Sequence, residues 1–317
     1  MIDSLSQSIG HTAWVFLLLA AMFLPLEHAF SVRPQGARRR GMRTDLFFFL
    51  GQHLLFVGPV VAVLALVHAN LHALPGESIR AEFGAMPYAV QFGLMIVWSD
   101  VVLYWAHRLS HQVPFLWRFH KVHHTSERLD WVAAYREHPV DNLYTRLVEN
   151  VPAMLLGFPL YTIAGFAVFR GLWAIYIHSN CRLIPGPLRY VIGSSRLHHW
   201  HHEEQVGGRC NFANLSPLMD LMFGTYHDPG HFPDRYGIEN ERPAPYLQQI
   251  VEPLVPAPLW PKRFRESRSE EDSRAGQRST SDRLPSPARR CPTTCRKKST
   301  DVAPSRSSAT LTPARRP

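Results

Sequence analysis

The sequence predicts an all-α fold: a multi-span integral membrane helical bundle with a cytoplasmic, histidine-rich metal-binding cap and a disordered C-terminal tail. Three observations predict it. Apolar runs near spanning length recur in the first half of the 317 residues, and about 20 helical residues cross a hydrocarbon layer of about 30 Å. Of 18 histidines, 13 lie between His107 and His231. From Lys262 onward the chain turns to Arg, Ser, Thr and Pro and loses nearly all apolar character. Such a segment cannot bury enough surface to offset the entropy of ordering it.

The net charge of +9 suggests at first a binder of nucleic acid or of anionic membrane. Its distribution removes the nucleic-acid reading. Residues 262–317 hold 15 of the 34 basic and 6 of the 25 acidic groups, so residues 1–261 balance 19 against 19. The four cysteines are too few for a disulfide scaffold, and none belongs to a CxxC pair.

The first span is read from Ala13 to Leu26, extended by Ala29 and Phe30; it lacks the basic start and small-residue cleavage site of a signal peptide. The second, Leu46 to Leu71, is the strongest run and is interrupted only by Gln52, His53, His68 and Asn70. The third runs from Met86 to Ala106 with Ser99 and Asp100 inside it. The stretch from Leu143 to Ile177 is long for one span and short for two, and holds Glu149, Asn150, Arg170, Pro152, Gly157, Pro159 and Gly165. It reads as a tight helical hairpin or a re-entrant pair, since neighbouring helices can satisfy backbone groups freed by Pro and Gly.

Arg33, Arg38, Arg39, Arg40 and Arg43 crowd the first loop, while the preceding 32 residues contain no Lys or Arg. The positive-inside rule makes that loop cytoplasmic. Three crossings then deliver His107 to the cytoplasmic side, and a hairpin returns His178 to it. The expected organisation is N-terminal helices and basic loop over 1–85, a catalytic region over 86–230, a loop extension over 231–261 and the basic tail over 262–317.

Three histidine clusters carry the chemistry: His107 and His111 at the end of the third span, then His120, His123 and His124, then His198, His201 and His202. On a helix, positions i, i+3 and i+4 share a face, so each cluster aims two or three imidazoles at one point. Imidazole suits iron, zinc, copper and nickel. Eight donors exceed the four that one zinc takes and suit two six-coordinate ions with open positions. His199 is surplus to that pattern, and His11, His28, His53 and His68 stand apart from it.

These residues resemble the sterol desaturase and fatty acid hydroxylase superfamily of membrane di-iron enzymes. The resemblance rests on the stretches Ser99 to His111, Leu116 to Thr125 and Arg196 to His202. Glu137 to Asp141, His178 to Asn180, Asn211 with Phe212, and Asp220 to Tyr226 add to it, covering roughly residues 95–227. Position by position it implies metal ligation by His107, His111, His120, His123, His124, His198, His201 and His202, joined by His178. His138, before Pro139, is implied as a ligand or as a donor behind one. Some members have a second histidine four residues after the position of His178, where this chain has Arg182.

Asp100 lies two helical turns before His107, on the same face, and an acid inside a span is expensive and usually functional. A metal-bound histidine commonly donates its other N–H to a carboxylate, which gives Asp100 the expected task of orienting His107. Glu137, Asp141, Glu203 and Asp220 are similar candidates.

The resemblance implies two iron ions and O2 as co-substrate, acting on a C–H bond of a lipid drawn from the bilayer, by hydroxylation or desaturation. No GxGxxG, Cys framework or His-Pro-Gly-Gly is present, so electrons are expected from a separate ferredoxin, cytochrome b5 or reductase. The expected location is a bacterial inner membrane, or the endoplasmic reticulum of a eukaryote, with no nucleic-acid partner. The alternative, a zinc-dependent membrane hydrolase or a metal transporter, would favour an HExxH or mid-span carboxylates along a path. A haem protein would have little use for adjacent histidine pairs.

Overall fold

The computed structural model describes residues 2–255 apart from residues 37, 71–75, 185, 207, 240, 242 and 243. The tail expected to be disordered lies outside the described residues, as does Leu71, the expected end of the second span. Helices account for the regular structure among the described residues, and strands are reduced to isolated bridges. Four segments are long and apolar enough to cross a membrane: Ser6–Ala29, Met42–Ala69, Tyr88–Gln112 and Leu160–His178.

The first belongs to α1 (Ile2–Ala29). The second is α2 (Met42–Gly51), a π-helical turn (Gln52–Phe56) and α3 (Val57–Ala69) in one continuous run. After α4 (Glu77–Ala85), α5 (Tyr88–Gln112) continues past the expected end of the third apolar run, so His107 and His111 lie on the last turns of the span itself. Trp14, Leu18, Leu55, Leu66, Val97 and Val168 point outward, whereas Gln91, Ser99, Glu149 and Thr162 are buried. That inversion is expected of a helix bundle solvated by lipid, where polar groups face the interior.

The stretch that reads as a hairpin or re-entrant pair is a hairpin of α7 (Pro139–Leu156) and α8 (Leu160–His178). Gly157 ends α7 at φ 97° and donates its N–H to Met154 O, while Phe158 N–H reaches Ala153 O. Glycine is needed there twice over. Its φ is left-handed, and a Cβ would lie 2.4 Å from Arg80 Cα. Pro159 then opens α8. α7, which holds Asp141, Glu149 and Asn150 among its buried residues, packs against α5.

One end of the bundle is tied together by charge. Glu27 Oε1 accepts the N–H groups of Trp131 and Asn180. Asp45, fully buried, accepts Arg136 Nε at 2.6 Å and pairs with Arg39 at 2.7 Å, and Arg39 also reaches Asp130. One of the five arginines of the basic loop is therefore neutralised inside the protein. A cap of short helices sits at this end: α6 (Pro114–His124), α9 (Ser195–His201) and α10 (Leu218–Phe223).

The segment expected to be a loop extension over 231–261 contains α11 (Tyr246–Val251). Six residues after a proline are too few to show a helical period, and tertiary contacts hold them. Tyr246 stands edge-on to Phe48 at 4.8 Å, and Gln249 Oε1 accepts Thr125 Oγ1 at 3.0 Å.

Candidate metal centre

The chain bends where the histidines must converge. Val113 is extended ahead of Pro114, as the residue before a proline prefers, and Pro114 starts α6 at a position where its missing N–H costs nothing. α6 therefore folds back on α5 and brings His120 and His124 to His107 and His111. α8 ends on His178. Ser194 caps α9 by accepting Leu197 N–H, which sets His198 and His201 on one short helix with His202 at its C-terminal cap.

Among the described residues, nine histidines form two groups. His107, His111, His120, His124 and His201 make one, and His123, His178, His198 and His202 the other; in each, the ligand atoms lie within 4.8 Å of one another. Helical spacing explains the division. His120 and His124 share a face of α6 and serve the first group while His123 turns to the second; His198 of α9 and His202, four residues on at its C-cap, lie on one side while His201 turns to the first.

Hydrogen bonding fixes which ring nitrogen is free. His107 Nδ1 donates to Phe212 O (2.8 Å), His201 Nδ1 to Cys210 O (2.7 Å), His123 Nδ1 to Arg136 O (3.0 Å) and His178 Nδ1 to Ala174 O (2.6 Å). A carbonyl can only accept, so each of these rings carries its proton on Nδ1 and a bare lone pair on Nε2. His120 Nδ1 is 2.8 Å from Asp141 Oδ2 and completes the set. Burial pushes the imidazoles of His120 and His123 down to about 3 and about 4, and those of His124, His198, His201 and His202 well below the usual histidine range. They are neutral bases.

That arrangement fits a cation. The Nε2 atoms of His123 and His178, both lone pairs, face each other at 2.9 Å. His178 and His198 Nε2 are 2.8 Å apart, His198 and His202 3.1 Å, and His111 and His201 3.2 Å. Donors held about 2.1 Å from one ion at right angles lie about 3 Å apart. Nε2 of His107, His120 and His124 is buried with no hydrogen-bond partner, an arrangement that costs free energy unless something is bound there.

Asp100 does not orient His107 through contact. Its Oδ1 accepts the N–H groups of Leu215 and Ser216, both at 3.2 Å, and His107 turns instead to the carbonyl of Phe212. Asp220 accepts Phe212 N–H at 2.9 Å, Ala213 N–H at 3.0 Å and Thr225 Oγ1 at 2.7 Å. The two acids thus pin both ends of a loop whose carbonyls hold His107 and His201. Asn211 lies in that loop at φ 53°, a conformation asparagine tolerates better than most residues. Its amide donates to Leu197 O and His227 O.

His138 belongs to neither group. Its Nδ1 accepts Val140 N–H as the cap of α7 and its Nε2 donates to Ile250 O at 3.0 Å, so both nitrogens are used. His199, surplus in the sequence pattern, meets Tyr236 Oη and Ser179 O and is turned away from the groups. Of the four acids that sequence left undistinguished, Asp141 is the one hydrogen-bonded to a histidine of the groups; Glu203 binds Gln205 N–H and Val206 N–H of its own turn. Sequence reasoning missed Gly208 (φ +64°), where a Cβ would lie 2.2 Å from the His111 ring. It also missed Arg136, whose carbonyl holds His123.

A cavity of about 180 Å³ opens beside both groups and is lined by His107 and His120 of one and by His123, His178 and His198 of the other.

The fatty acid hydroxylase family matches residues 92–225. The ornithine lipid hydroxylase OlsE of Rhizobium tropici is 32% identical over 186 residues, 57% of this chain and 56% of that protein. Human lathosterol oxidase is 23% identical over 249 residues, 77% of this chain and 78% of that one. The alkylglycerol monooxygenase of Danio rerio is 30% identical over 130 residues, 40% of this chain and 28% of that one. The chain thus spans little more than half the length of the Rhizobium relative it matches. No solved structure matches it. In its histidine spacing, in the two groups the histidines form and over residues 92–225, the chain is similar to the fatty acid hydroxylase and sterol desaturase superfamily.

Proposed function

We propose that the chain is a membrane-bound di-iron oxidoreductase that uses O2 and external electrons to hydroxylate or desaturate a C–H bond of a lipid. One observation carries the reading: nine imidazoles divide into two adjacent groups whose ring nitrogens face one another at spacings suited to cis ligands of an ion. His107, His111, His120, His124 and His201 would hold one iron, and His123, His178, His198 and His202 the other. Non-haem iron bound there supplies the dioxygen chemistry that protein side chains lack.

The chain's own residues do the rest. Carbonyls of Phe212, Cys210, Arg136 and Ala174, with the carboxylate of Asp141, hold five rings in one tautomer. The cavity between α5, α7 and α8 receives the substrate. Hydroxylation converts C–H to C–OH and sends the second oxygen atom to water with two electrons and two protons. Desaturation removes two hydrogens and sends both oxygen atoms to water with the same two electrons and two protons.

Those electrons come from a separate donor such as a ferredoxin, cytochrome b5 or reductase. The arginines of the loop before α2 support a cytoplasmic site, reachable by such a donor. The substrate class is a lipid, as the names of the relatives suggest: an ornithine lipid, a sterol or an alkylglycerol. The test is metal analysis of the purified protein with an assay of lipid oxidation. About two irons per chain are expected, with turnover requiring O2 and a donor; turnover with NAD(P)H and O2 alone would overturn the separate donor.

A further inference from the structure

Arg136 holds His123 at two points. Its carbonyl accepts His123 Nδ1 at 3.0 Å, and its Nη1 donates to Thr125 Oγ1 at 3.3 Å, two residues past His123 at the end of α6. A tight turn sets the direction of that carbonyl. Glu137 N–H reaches Tyr135 O at 2.8 Å around Arg136, which sits at φ −72° and ψ 83°. Those angles are close to the inverse γ-turn values of about −75° and +65°. The guanidinium anchors the turn from its other end, with Nε donating to Asp45 Oδ1 at 2.6 Å and Nη2 to Gly41 O at 3.5 Å. Both acceptors belong to the start of α2. Gly41 there is left-handed at φ 82°, and a Cβ on it would lie 2.9 Å from that Nη2.

Asp45 and Arg136 are half of a cluster of four charges. Asp45 Oδ2 pairs with Arg39 Nη2 at 2.7 Å, and Arg39 also donates to Asp130. Asp130 Oδ1 accepts the N–H groups of Val132 at 3.1 Å and Ala133 at 2.9 Å. It thereby caps the 3-10 turn Ala133–Tyr135 that delivers Arg136. Arg136 is 1% exposed and Asp45 0%, and charges buried that far are costly even when paired. An apolar set of the same volume is often as stable, so stability alone does not account for the cluster. Its position does. Arg39 and Asp45 lie before the stretch that matches the family, residues 92–225, yet they hold the backbone that orients a ring of the four-membered group.

We propose that Asp45 is a positioning residue for that group. With Arg39 it fixes the Arg136 guanidinium, and through it the carbonyl that keeps the proton of His123 on Nδ1 and leaves Nε2 facing His178 at 2.9 Å. The inference rests on the di-iron reading and extends the support of the site into the basic loop and α2.

The test uses the purified full chain loaded with Fe2+ in the absence of air. Chelator competition reads how tightly each iron is held, and the melting temperature of the metal-free protein reads the fold. Asp45→Asn should weaken one iron about tenfold, the lower end of what losing the support of a metal-bound histidine costs, and spare the other. The weakened iron should be that of the four-membered group. Adding His178→Ala should then remove no more iron than His178→Ala does alone, whereas adding Asp141→Asn should weaken both irons. Asp45→Asn also leaves the two arginines with one aspartate, an imbalance that destabilises a buried cluster whatever its task. Combining it with Arg39→Gln leaves one arginine and one aspartate. The melting temperature of this double variant should recover toward that of the native chain while one iron stays as weakly held as in Asp45→Asn. Recovery of the iron along with the melting temperature would overturn the proposal, and so would native affinity at both groups, or equal weakening of both, in a folded variant. A native protein that holds zinc in place of iron would sink the di-iron reading alone, because the same competition with Zn2+ still judges the positioning.

Discussion

The two histidine groups share α6 and α9, with α5 serving only the first and α8 only the second, and they differ in what stands behind and in front of them. The five-membered group is backed by a carboxylate, Asp141 on His120, as well as by the carbonyls of Phe212 and Cys210. Its His111 is half-buried beneath Gly208 and beside Trp117, ring centroids 5.0 Å apart. The four-membered group has carbonyl partners only, from Arg136 and Ala174, and three of its four rings line the cavity against two of five in the other. On the proposed di-iron reading, the difference implies a division of labour. Five donors with a carboxylate behind them suit an anchoring site, and four donors, three of them lining the cavity, leave more positions for substrate and O2.

The largest effect should come from removing a donor where none is spare. His178→Ala leaves three donors and should lower iron from about two to about one per chain and abolish lipid oxidation. His111→Ala leaves four at its group and should keep most of the metal. Equal losses from the two variants would break the comparison. Asp141→Asn is next: it should weaken metal at the five-membered group about 10–100-fold, seen by chelator competition, and spare the other. If metal leaves both groups together, the two do not act separately.

Gly208→Ala should act on stability more than on chemistry. Left-handed backbone strain of about 1–3 kcal/mol, with the contact at His111, should lower the melting temperature of the metal-loaded protein. His138→Gln should do least. Losing the cap of α7 costs about 1 kcal/mol, and iron content should not change; a loss of iron would return His138 to the ligands.

Much of the fold was legible because spans and histidine boxes are local patterns. The run from Ala13, the run from Leu46 and the HxxxH before Pro114 each show their structure within about one span of chain. The division into groups was not, because it depends on how α5, α6, α8 and α9 meet. Asp100 illustrates the limit. Its helical spacing from His107 is real, but both side chains turn to the loop after Cys210, and only tertiary structure shows that they act through its backbone. His138 failed for a similar reason: before a proline, it served as a helix cap. Arg170 read as an interruption of an apolar stretch, and its place in the cavity required Glu149 of the neighbouring helix.

The central claim is that two separate imidazole groups hold two irons, and elemental analysis of the purified full chain tests it most directly, beside His123→Ala. The account predicts about two irons per chain in the native protein, with the substitution removing about one of them together with O2-dependent lipid oxidation. A single tightly held zinc and no iron would contradict it.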